Sequence, residues 1–344
     1  MTIKFAALTS CFVALLMFTI SSEAAATETQ RFLFIGDLPY STEQRDRLSD
    51  VIIPAIRVDD FPFLVHYGDL KSGSVPCTET LITESYTQLM GIWSKTAETN
   101  QLPTVFYTPG DNEWTDCDRR FIGDETGGPM SELKALDVLR RIFFSEPIQV
   151  PSTWNYERQS LYPENAIWRY GRIEFATVHM VGTNNGRLEI LMDDVGVALA
   201  HVDARDEANR AWLNRIFARA SHFRNPADAV IITTQADVTD PDEFAPCTPS
   251  NQMNCDAYSG FRVQLAKHAA SFKRPVLLVH GDTGPYCIDR ELGTDKAPNL
   301  WRLNAGGDYH RPLDATVVTF HAGEPEAPFS AQGLVDGEAL AGQC

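Results

Sequence analysis

Four short apolar stretches of this chain end in the same dipeptide, glycine followed by aspartate. The four aspartates are Asp37, Asp69, Asp111 and Asp282. One Gly-Asp pair means little, because the dipeptide is common in turns, but its recurrence after four apolar runs predicts a shared site. Four carboxylates held close together cannot all stay ionised without a proton or a cation, and their oxygens suit a divalent metal.

The stretches that lead to these aspartates have the features of buried strands, since they are short, rich in β-branched and aromatic residues, and bounded by glycine. If the strands lie in one sheet with one polarity, the aspartates gather beyond their carboxyl ends, where ligands bind in open α/β sheets. A fifth stretch lacks the glycine and ends at Gln235. The predicted strands are residues 31–37, 63–69, 104–111, 229–235 and 276–282.

Helical patterns lie between these strands, and the alternation of strand and helix predicts an α/β fold with a largely parallel or mixed sheet. A hairpin-like pattern over residues 168–180 and a late strand over residues 316–320 indicate a second sheet. No linker or internal repeat interrupts the chain, so we expect one domain over residues 27–344. The predicted helices are residues 41–53, 80–99, 133–144 and 204–220.

At the Gly-Asp positions the chain resembles the calcineurin-like metallophosphoesterases in the order and spacing of their motifs. The aspartate of the family's Asp-x-His motif matches Asp37, and the metal-bridging aspartate matches Asp69. The family's asparagine ligand and catalytic histidine stand here as Asp111 and Asn112, and Gln235 stands in place of a further histidine. The last motif, Gly-His-x-His, stands as Gly281-Asp282-Thr283-Gly284.

The resemblance implies a two-sheet αββα sandwich with mixed sheets, a metal centre at the strand ends, and hydrolysis of a small-molecule phosphoester. Every histidine of the family motifs is missing, however. Carboxylate and amide oxygens favour Mg, Mn or Ca, whereas imidazole suits Zn and Fe, so we expect a hard divalent metal ion in preference to Zn or Fe. The expected metal ligands are Asp37, Asp69, Asp111, Gln235 and Asp282.

Further residues near the motifs are candidates for catalysis or substrate binding. We expect Asn112, Asp111 and Lys71, which follows the second Gly-Asp, to act in catalysis. Lys71 is equally compatible with a solvated loop. A histidine on a strand, such as His280, is more often a packed core residue than a ligand, and Asn184 also fits an ordinary Asn-Asn-Gly turn. The expected substrate-binding residues are Tyr40, Glu113, Asn184 and His280, and the candidate rim residues are Trp114, Asp116, Arg119 and Arg120.

The N-terminal residues and the net charge indicate the cellular location of the protein and the partners that it excludes. Residues 1–26 have the features of a secretory signal: a lysine, an apolar run over residues 5–20 and small residues before the end of the segment. The apolar run is too short to span a bilayer comfortably, so we expect an exported protein, periplasmic or secreted, without stable membrane insertion after cleavage. A net charge of −17 repels phosphate backbones and disfavours nucleic acid as a partner.

Six cysteines follow the predicted signal segment, and an even number in an exported chain indicates disulfides. Two of them bracket a short polar loop, and two others each lie just after a Gly-Asp turn. The alternative is free thiols or a zinc site, but no Cys-x-x-Cys spacing is present. The predicted pairs are Cys77–Cys117, Cys247–Cys255 and Cys287–Cys344.

Two functions from different classes fit the sequence. The first is a metal-dependent phosphoester hydrolase, which the four retained aspartates favour. The second is a non-catalytic descendant of the same fold that binds a ligand or partner, which the loss of the motif histidines favours. A serine hydrolase and a P-loop NTPase are disfavoured, since the chain contains neither Gly-x-Ser-x-Gly nor Gly-x-x-x-x-Gly-Lys.

Overall fold

Two β-sheets carry the strands that lead to the Gly-Asp turns. The computed structural model describes residues 29–92, 104–119, 127–241, 243–306, 313–338, 340 and 344, so the predicted signal segment, residues 1–26, lies outside the described residues. The strands are β1 (Thr29–Ile35), β2 (Phe63–His66), β3 (Thr104–Tyr107), β4 (Glu157–Arg158), β5 (Ala166–Tyr170), β6 (Ile173–Thr177), β7 (Ala229–Thr233), β8 (Val276–His280), β9 (Cys287–Asp289), β10 (Leu300–Asn304), β11 (Thr316–His321) and β12 (Phe329–Gly333).

Both sheets are mixed. The first has the strand order β12-β11-β1-β2-β3 and the second the order β4-β5-β6-β7-β8-β10-β9. In the first sheet β1, β2 and β3 are parallel, while β11 and β12 are added antiparallel at one side. In the second sheet β6, β7, β8 and β10 are parallel, and the outer strands on both sides pair antiparallel.

The helices of the described residues are α1 (Thr42–Arg47), α2 (Ile53–Val58), α3 (Glu79–Met90), α4 (Glu132–Phe143), the short turn α5 (Gly182–Gly186), α6 (Val195–Ala220) and α7 (Ser259–Phe272). A π-helical segment, Leu48–Ile52, joins α1 to α2, and short 3₁₀ helices cover Thr115–Asp118, Ser152–Trp154 and Glu291–Lys296. Four helices begin after a side chain that accepts a hydrogen bond from their first turn, which fixes where they start. These capping residues are Ser41, Thr78, Ser131 and Asp194.

The side chains alternate between two apolar layers along the strands of the first sheet. In β1, Phe32 and Phe34 pack between the sheets, whereas Leu33 and Ile35 pack with residues of the π-helical segment, α2, α3 and α4, as the two-residue period of a strand requires. The rings of Phe106 and Trp168 stack across the sheets with centroids 3.6 Å apart. A third apolar cluster joins the second sheet to α6 and α7. The result is a helix–sheet–sheet–helix sandwich, which confirms the predicted fold class.

Some elements differ from the sequence-based expectation. The four Gly-Asp strands do not lie in one sheet, because β1, β2 and β3 belong to the first sheet and β8 to the second. Helix α6 begins at Val195, well before the predicted start at residue 204, because Asp194 caps it there. Helix α3 ends at Met90, and the rest of the predicted helix, from residue 93, lies outside the described residues.

Three disulfides join the predicted cysteine pairs. Cys77–Cys117 connects the loop after β2 to the loop after β3, so it ties together the segments that follow Asp69 and Asp111. Cys247–Cys255 closes a short loop before α7, and Cys287–Cys344 fastens the last residue to β9. Within the described ranges, no helix is long and apolar enough to cross a membrane.

Candidate functional site

The Gly-Asp turns follow directly on the ends of β1 and β8, whereas one residue separates the turn from the end of β2 and two residues separate it from the end of β3. In three of them the aspartate has a positive φ angle: 54° for Asp37, 58° for Asp69 and 73° for Asp282. This left-handed conformation is uncommon for residues other than glycine, although aspartate and asparagine tolerate it better than most. The chain therefore turns sharply at each of these three aspartates, and the side chain lies near the end of the strand.

The glycine before each aspartate is required because the turns approach one another closely. A Cβ atom on Gly110 would lie 1.9 Å from Oδ1 of Asp69, and one on Gly281 would lie 2.0 Å from Oδ2 of Asp37. A Cβ atom on Gly36 would clash with the ring of Tyr67 at 2.2 Å. Glycine therefore recurs before these aspartates because several turns pack closely around one point.

The carboxylates of Asp69, Asp111 and Asp282 converge. Each offers an oxygen atom within 4.8 Å of the others, although Asp282 comes from the second sheet and the other two from the first. Asp37 adjoins this group, since its Oδ1 accepts a hydrogen bond from the backbone N–H of Asp282 at 3.1 Å. The four predicted aspartates therefore lie together where the carboxyl ends of the two sheets meet.

Hydrogen-bond donors surround the Asp69 carboxylate. Its Oδ2 accepts from the Tyr40 hydroxyl at 3.0 Å, from Nδ2 of Asn112 at 3.0 Å and from Nε2 of Gln235 at 3.3 Å. Its Oδ1 accepts from the backbone N–H of Asn112 at 3.2 Å. Asn112 also donates to the Tyr40 hydroxyl at 3.0 Å, so the predicted catalytic and substrate-binding residues Asn112 and Tyr40 both contact the cluster.

Gln235 faces the cluster with its amide nitrogen. Its Oε1 accepts the backbone N–H of Gly182 at 2.7 Å, and a backbone N–H can only donate. The Nε2 group must therefore point the other way, where it donates to Asp111 at 3.0 Å as well as to Asp69. Sequence analysis predicted Gln235 as a metal ligand through its oxygen, but in this structure that oxygen is directed at the backbone of Gly182.

The turn α5 supplies a further contact to Asp111. Three consecutive residues, Thr183, Asn184 and Asn185, have left-handed φ angles between 52° and 59°. The Thr183 hydroxyl lies 3.1 Å from Oδ2 of Asp111 and 3.1 Å from Oδ1 of Asp116. Burial, followed by the charge of Asp111, raises the pKa of Asp116 to about 8, although Asp116 also forms an ion pair of 2.5 Å with Arg119.

Glu113, predicted to bind substrate, lies beneath the cluster and holds its backbone in place. The side chain is fully buried. Its Oε1 accepts from the backbone N–H groups of Asp69 at 3.0 Å and Gly110 at 2.8 Å and from the Tyr107 hydroxyl at 2.8 Å, and its Oε2 accepts from Leu70. Burial raises the pKa of this carboxyl. The geometry therefore supports a positioning role for Glu113.

Lys71, predicted to act in catalysis, is directed into the protein. Its ammonium donates to the backbone carbonyls of Ser72 at 3.1 Å and Val75 at 2.8 Å and to that of Asn112. These contacts use all three N–H groups, and only 4% of the residue is exposed. Burial lowers the pKa of Lys71 to about 8. The lysine fixes the loops after β2 and β3 and does not face the cluster in this structure.

Two predicted substrate-binding residues also point elsewhere. Nδ2 of Asn184 donates to the carbonyls of Met253 at 2.9 Å and Cys255 at 2.8 Å, so this side chain holds the disulfide loop before α7. His280 is fully buried, and its Nδ1 lies 2.8 Å from the carbonyl of Gly281. Its Nε2 lies 3.8 Å from Asp237, and burial lowers its pKa.

Two residues that contact or support the site, Thr183 and Asp237, were not predicted from the sequence. Thr183 follows a glycine after β6, so it repeats the arrangement of the Gly-Asp turns with a threonine, and this pattern was a usable signal. Asp237 follows β7 and accepts a hydrogen bond from the Thr283 hydroxyl at 2.7 Å, which anchors the loop that carries Asp282. Its position two residues after Gln235 gave no comparable signal.

The donor set of the cluster fits a hard divalent cation. Oxygen atoms bound to Ca²⁺ lie about 2.3–2.6 Å from the ion, so two ligands of the same ion lie no more than about 5 Å apart. The three carboxylates that meet this condition are Asp69, Asp111 and Asp282. No histidine or cysteine takes part in a metal-ligand cluster within the described residues, which favours Mg, Mn or Ca by ligand type.

No protein-family model matches the chain, and no curated protein matches it. Among solved structures, the chain is similar to "GAP50 the anchor in the inner membrane complex of Plasmodium", with 11% identity, a TM-score of 0.47, and coverage of 91% of this chain and 87% of that chain. It is also similar to "Structure of PhoD", with 10% identity, a TM-score of 0.49, and coverage of 92% and 68%. Similarity at this level does not extend to side-chain chemistry, which has to be inferred from the residues of this chain.

Proposed function

We propose that this chain is an exported, metallophosphoesterase-like hydrolase that binds a hard divalent cation between Asp69, Asp111 and Asp282 and acts on a small-molecule phosphoester. The observation that supports the proposal most strongly is the convergence of these three carboxylates within 4.8 Å. Carboxylates this close repel one another when ionised, and a bound cation relieves that repulsion. The three disulfides support export, because disulfides persist in oxidising compartments.

When bound, such a cation would polarise a phosphoryl oxygen and lower the pKa of a water molecule. The chain's own residues contribute binding and orientation. Asn112 and Tyr40 form a hydrogen-bonded pair beside Asp69, and Tyr40 is half-buried at the surface of the site. In this structure their donors are directed at Asp69 and at each other. In the proposed enzyme these donors would give up their place at Asp69 to a bound cation, which would leave the Tyr40 hydroxyl and an Asn112 N–H to hold a phosphoryl oxygen. Asn112 would then take over the positioning part of the histidine role without transferring a proton.

A second function is favoured by a specific observation. Gln235 and Asn112 present N–H donors to the carboxylates at 3.0–3.3 Å, and Thr183 adds a hydroxyl beside Asp111 at 3.1 Å. Hydrogen bonds to a carboxylate stabilise its charged form. These donors therefore offset part of the repulsion without a metal, as expected of a non-catalytic descendant that uses the cluster to bind a ligand or partner.

An activity assay with defined metals separates the two functions. The secreted protein is stripped of metal and then supplied with Mg, Mn, Ca or Zn in the presence of a phosphomonoester and a phosphodiester. If the protein is a hydrolase, we expect turnover with at least one of the hard ions and loss of that turnover in Asp111→Asn. Asp46→Asn, which changes an exposed aspartate on α1, is the matched control and should keep full activity. Metal binding without turnover of any phosphoester supports the non-catalytic alternative.

A further inference from the structure

A second charged site lies at the other end of the second sheet. An open cleft of about 580 Å³ is bordered by Glu174, the second residue of β6, whereas Gly182 and Thr183 of the carboxylate cluster follow the opposite end of that strand. Residues from the last turns of α6 also line the cleft. Its lining residues include Glu157, Arg169, Glu174, Arg215, Arg219 and His222.

The charge of this cleft is opposite to that of the whole chain. Three arginines face two glutamates there, although the net charge of the protein is −17. Arg169 and Arg219 are largely buried, with 8% and 15% of their side chains exposed. A group of guanidinium ions that carboxylates do not fully neutralise attracts anions, and its planar N–H groups suit carboxylate and phosphate oxygens.

The floor of the cleft is a buried carboxylate between two guanidinium groups. Glu174, with 1% of its side chain exposed, lies 2.5 Å from Arg169 and 2.9 Å from Arg219. Arg169 also donates to the carbonyl of Asn225 at 2.7 Å. These contacts hold two guanidinium groups in fixed positions, which reduces the entropy lost when a ligand binds to them.

The mouth of the cleft is an exposed ion pair. Both carboxylate oxygens of Glu157 accept from Arg215, at 2.8–3.2 Å, whereas Arg219 lies 3.4 Å from Oε2 of Glu157 and donates to the carbonyl of Asn155 at 2.8 Å. A distance of 3.4 Å is long for a charge-assisted hydrogen bond. Glu157 is 36% exposed and belongs to the two-residue edge strand β4, so it is a counter-ion that an incoming anion can replace.

We propose that this cleft binds a multivalent oxyanion, of the phosphate or dicarboxylate class, between Arg215 and Arg219. The ligand takes the place of the Glu157 carboxylate and brings enough oxygen atoms to satisfy both guanidinium groups. Asn155, Asn225 and His222 line the same cleft and border the bound anion. This site is independent of the carboxylate cluster and requires no metal.

Titration calorimetry on the metal-stripped protein tests the proposal, with inorganic phosphate, pyrophosphate and succinate as probes at constant ionic strength. We expect saturable binding of at least one probe, and comparison of the three shows whether phosphate or carboxylate oxygens are preferred. The Arg215→Gln/Arg219→Gln double variant should bind roughly tenfold more weakly or worse. Arg141→Gln, which removes an exposed guanidinium from a pair on α4, should bind as the wild type does.

Glu157→Gln distinguishes a ligand site from a purely structural network of ion pairs. If Glu157 competes with the ligand, removing its charge should tighten binding of the same probe several-fold. The proposal is overturned if no probe binds saturably to the wild type or to Glu157→Gln. Equal affinities of the wild type and the double arginine variant, with both folded by circular dichroism, also overturn it.

Discussion

Nε2 of Gln235 lies 3.0 Å from Oδ1 of Asp111, while its Oε1 accepts the backbone N–H of Gly182 at 2.7 Å. The backbone N–H fixes the direction of the amide, so the group that faces the carboxylates is a donor. Gln235 therefore links the second sheet to an aspartate of the first and offsets part of the repulsion in the cluster. The hydrogen bonds of Gln235 and the convergence of the aspartates both result from the meeting of strand ends from the two sheets.

Replacing this donor with an acceptor should destabilise the metal-free protein. In Gln235→Glu, a carboxylate faces Asp69 and Asp111 in place of the NH₂ group, so repulsion increases. We expect the metal-free variant to melt several degrees below the wild type, and added Mn²⁺ to raise its melting temperature more than that of the wild type. Differential scanning fluorimetry with and without Mn²⁺ measures both effects. Equal melting temperatures of the metal-free variant and the metal-free wild type would show that the Gln235 amide does not offset the repulsion between the carboxylates.

Adding one methyl group at Gly110 should disrupt the site. The new Cβ atom would lie 1.9 Å from Oδ1 of Asp69, so the Asp69 turn has to move. We expect Gly110→Ala to lower the free energy of unfolding by about 1–3 kcal/mol and to weaken metal binding. Gly260→Ala is the control, because a Cβ atom there meets no atom within 4 Å and alanine favours the helix. Denaturant unfolding compares the two variants, and equal stabilities would contradict the crowding of the turns.

Because the pKa of Glu132 is raised, we expect the stability of the protein to depend on pH in a specific way. Burial, followed by the charges of Asp118 and Asp193, raises its pKa from 4.5 to about 9. A carboxyl with a raised pKa holds its proton more tightly in the folded protein, so the free energy of unfolding falls as pH rises between these two values. Glu132→Gln removes this effect. The variant should match the wild type near about pH 4 and exceed it increasingly toward about pH 8.

Urea unfolding at several pH values measures this difference. The exposed Glu146 supplies the control variant, Glu146→Gln, for which the difference from the wild type should not grow with pH. A constant offset between Glu132→Gln and the wild type over the whole range would mean that folding does not raise the pKa of Glu132.

The disulfides should contribute unequally to stability. Cys77–Cys117 spans 40 residues and Cys247–Cys255 spans 8. In the chain-entropy model, the longer loop stabilises by about 4 kcal/mol and the shorter by about 2.5 kcal/mol. The double variant Cys77→Ala/Cys117→Ala should therefore melt lower than Cys247→Ala/Cys255→Ala. Thermal unfolding measured by circular dichroism ranks the two, and the reverse order would contradict loop length as the main factor.

The parts of the fold and site that the sequence predicts are those whose physical requirements leave a local pattern. The Gly-Asp turns need glycine because the neighbouring backbone leaves no space for a Cβ atom, as at Gly110 and Gly281. The strands before them are buried on both faces, so they appear as continuous apolar runs. Strand β1 shows this well, with Phe32 to Ile35 fully buried.

The parts that the sequence does not predict depend on contacts between distant segments. The direction of the Gln235 amide is set by Gly182, which is far away in the chain. The same holds for Lys71, whose donors are taken by backbone carbonyls that only the folded loops bring together. Helix α7 was missed because its buried stripe is narrow and consists of Phe261, Leu265 and Ala269.

Direct titration of the metal-stripped protein with Mn²⁺, monitored by electron paramagnetic resonance, tests whether the carboxylate cluster binds a divalent metal ion. Asp282→Asn is the most suitable variant, because asparagine tolerates the left-handed backbone at this position while removing one carboxylate charge from the cluster. We expect saturable Mn²⁺ binding by the wild type and by Asp46→Asn, and binding weakened roughly tenfold or more in Asp282→Asn. Absence of saturable binding in the wild type, or equal affinity in Asp282→Asn, would contradict a metal site at this cluster.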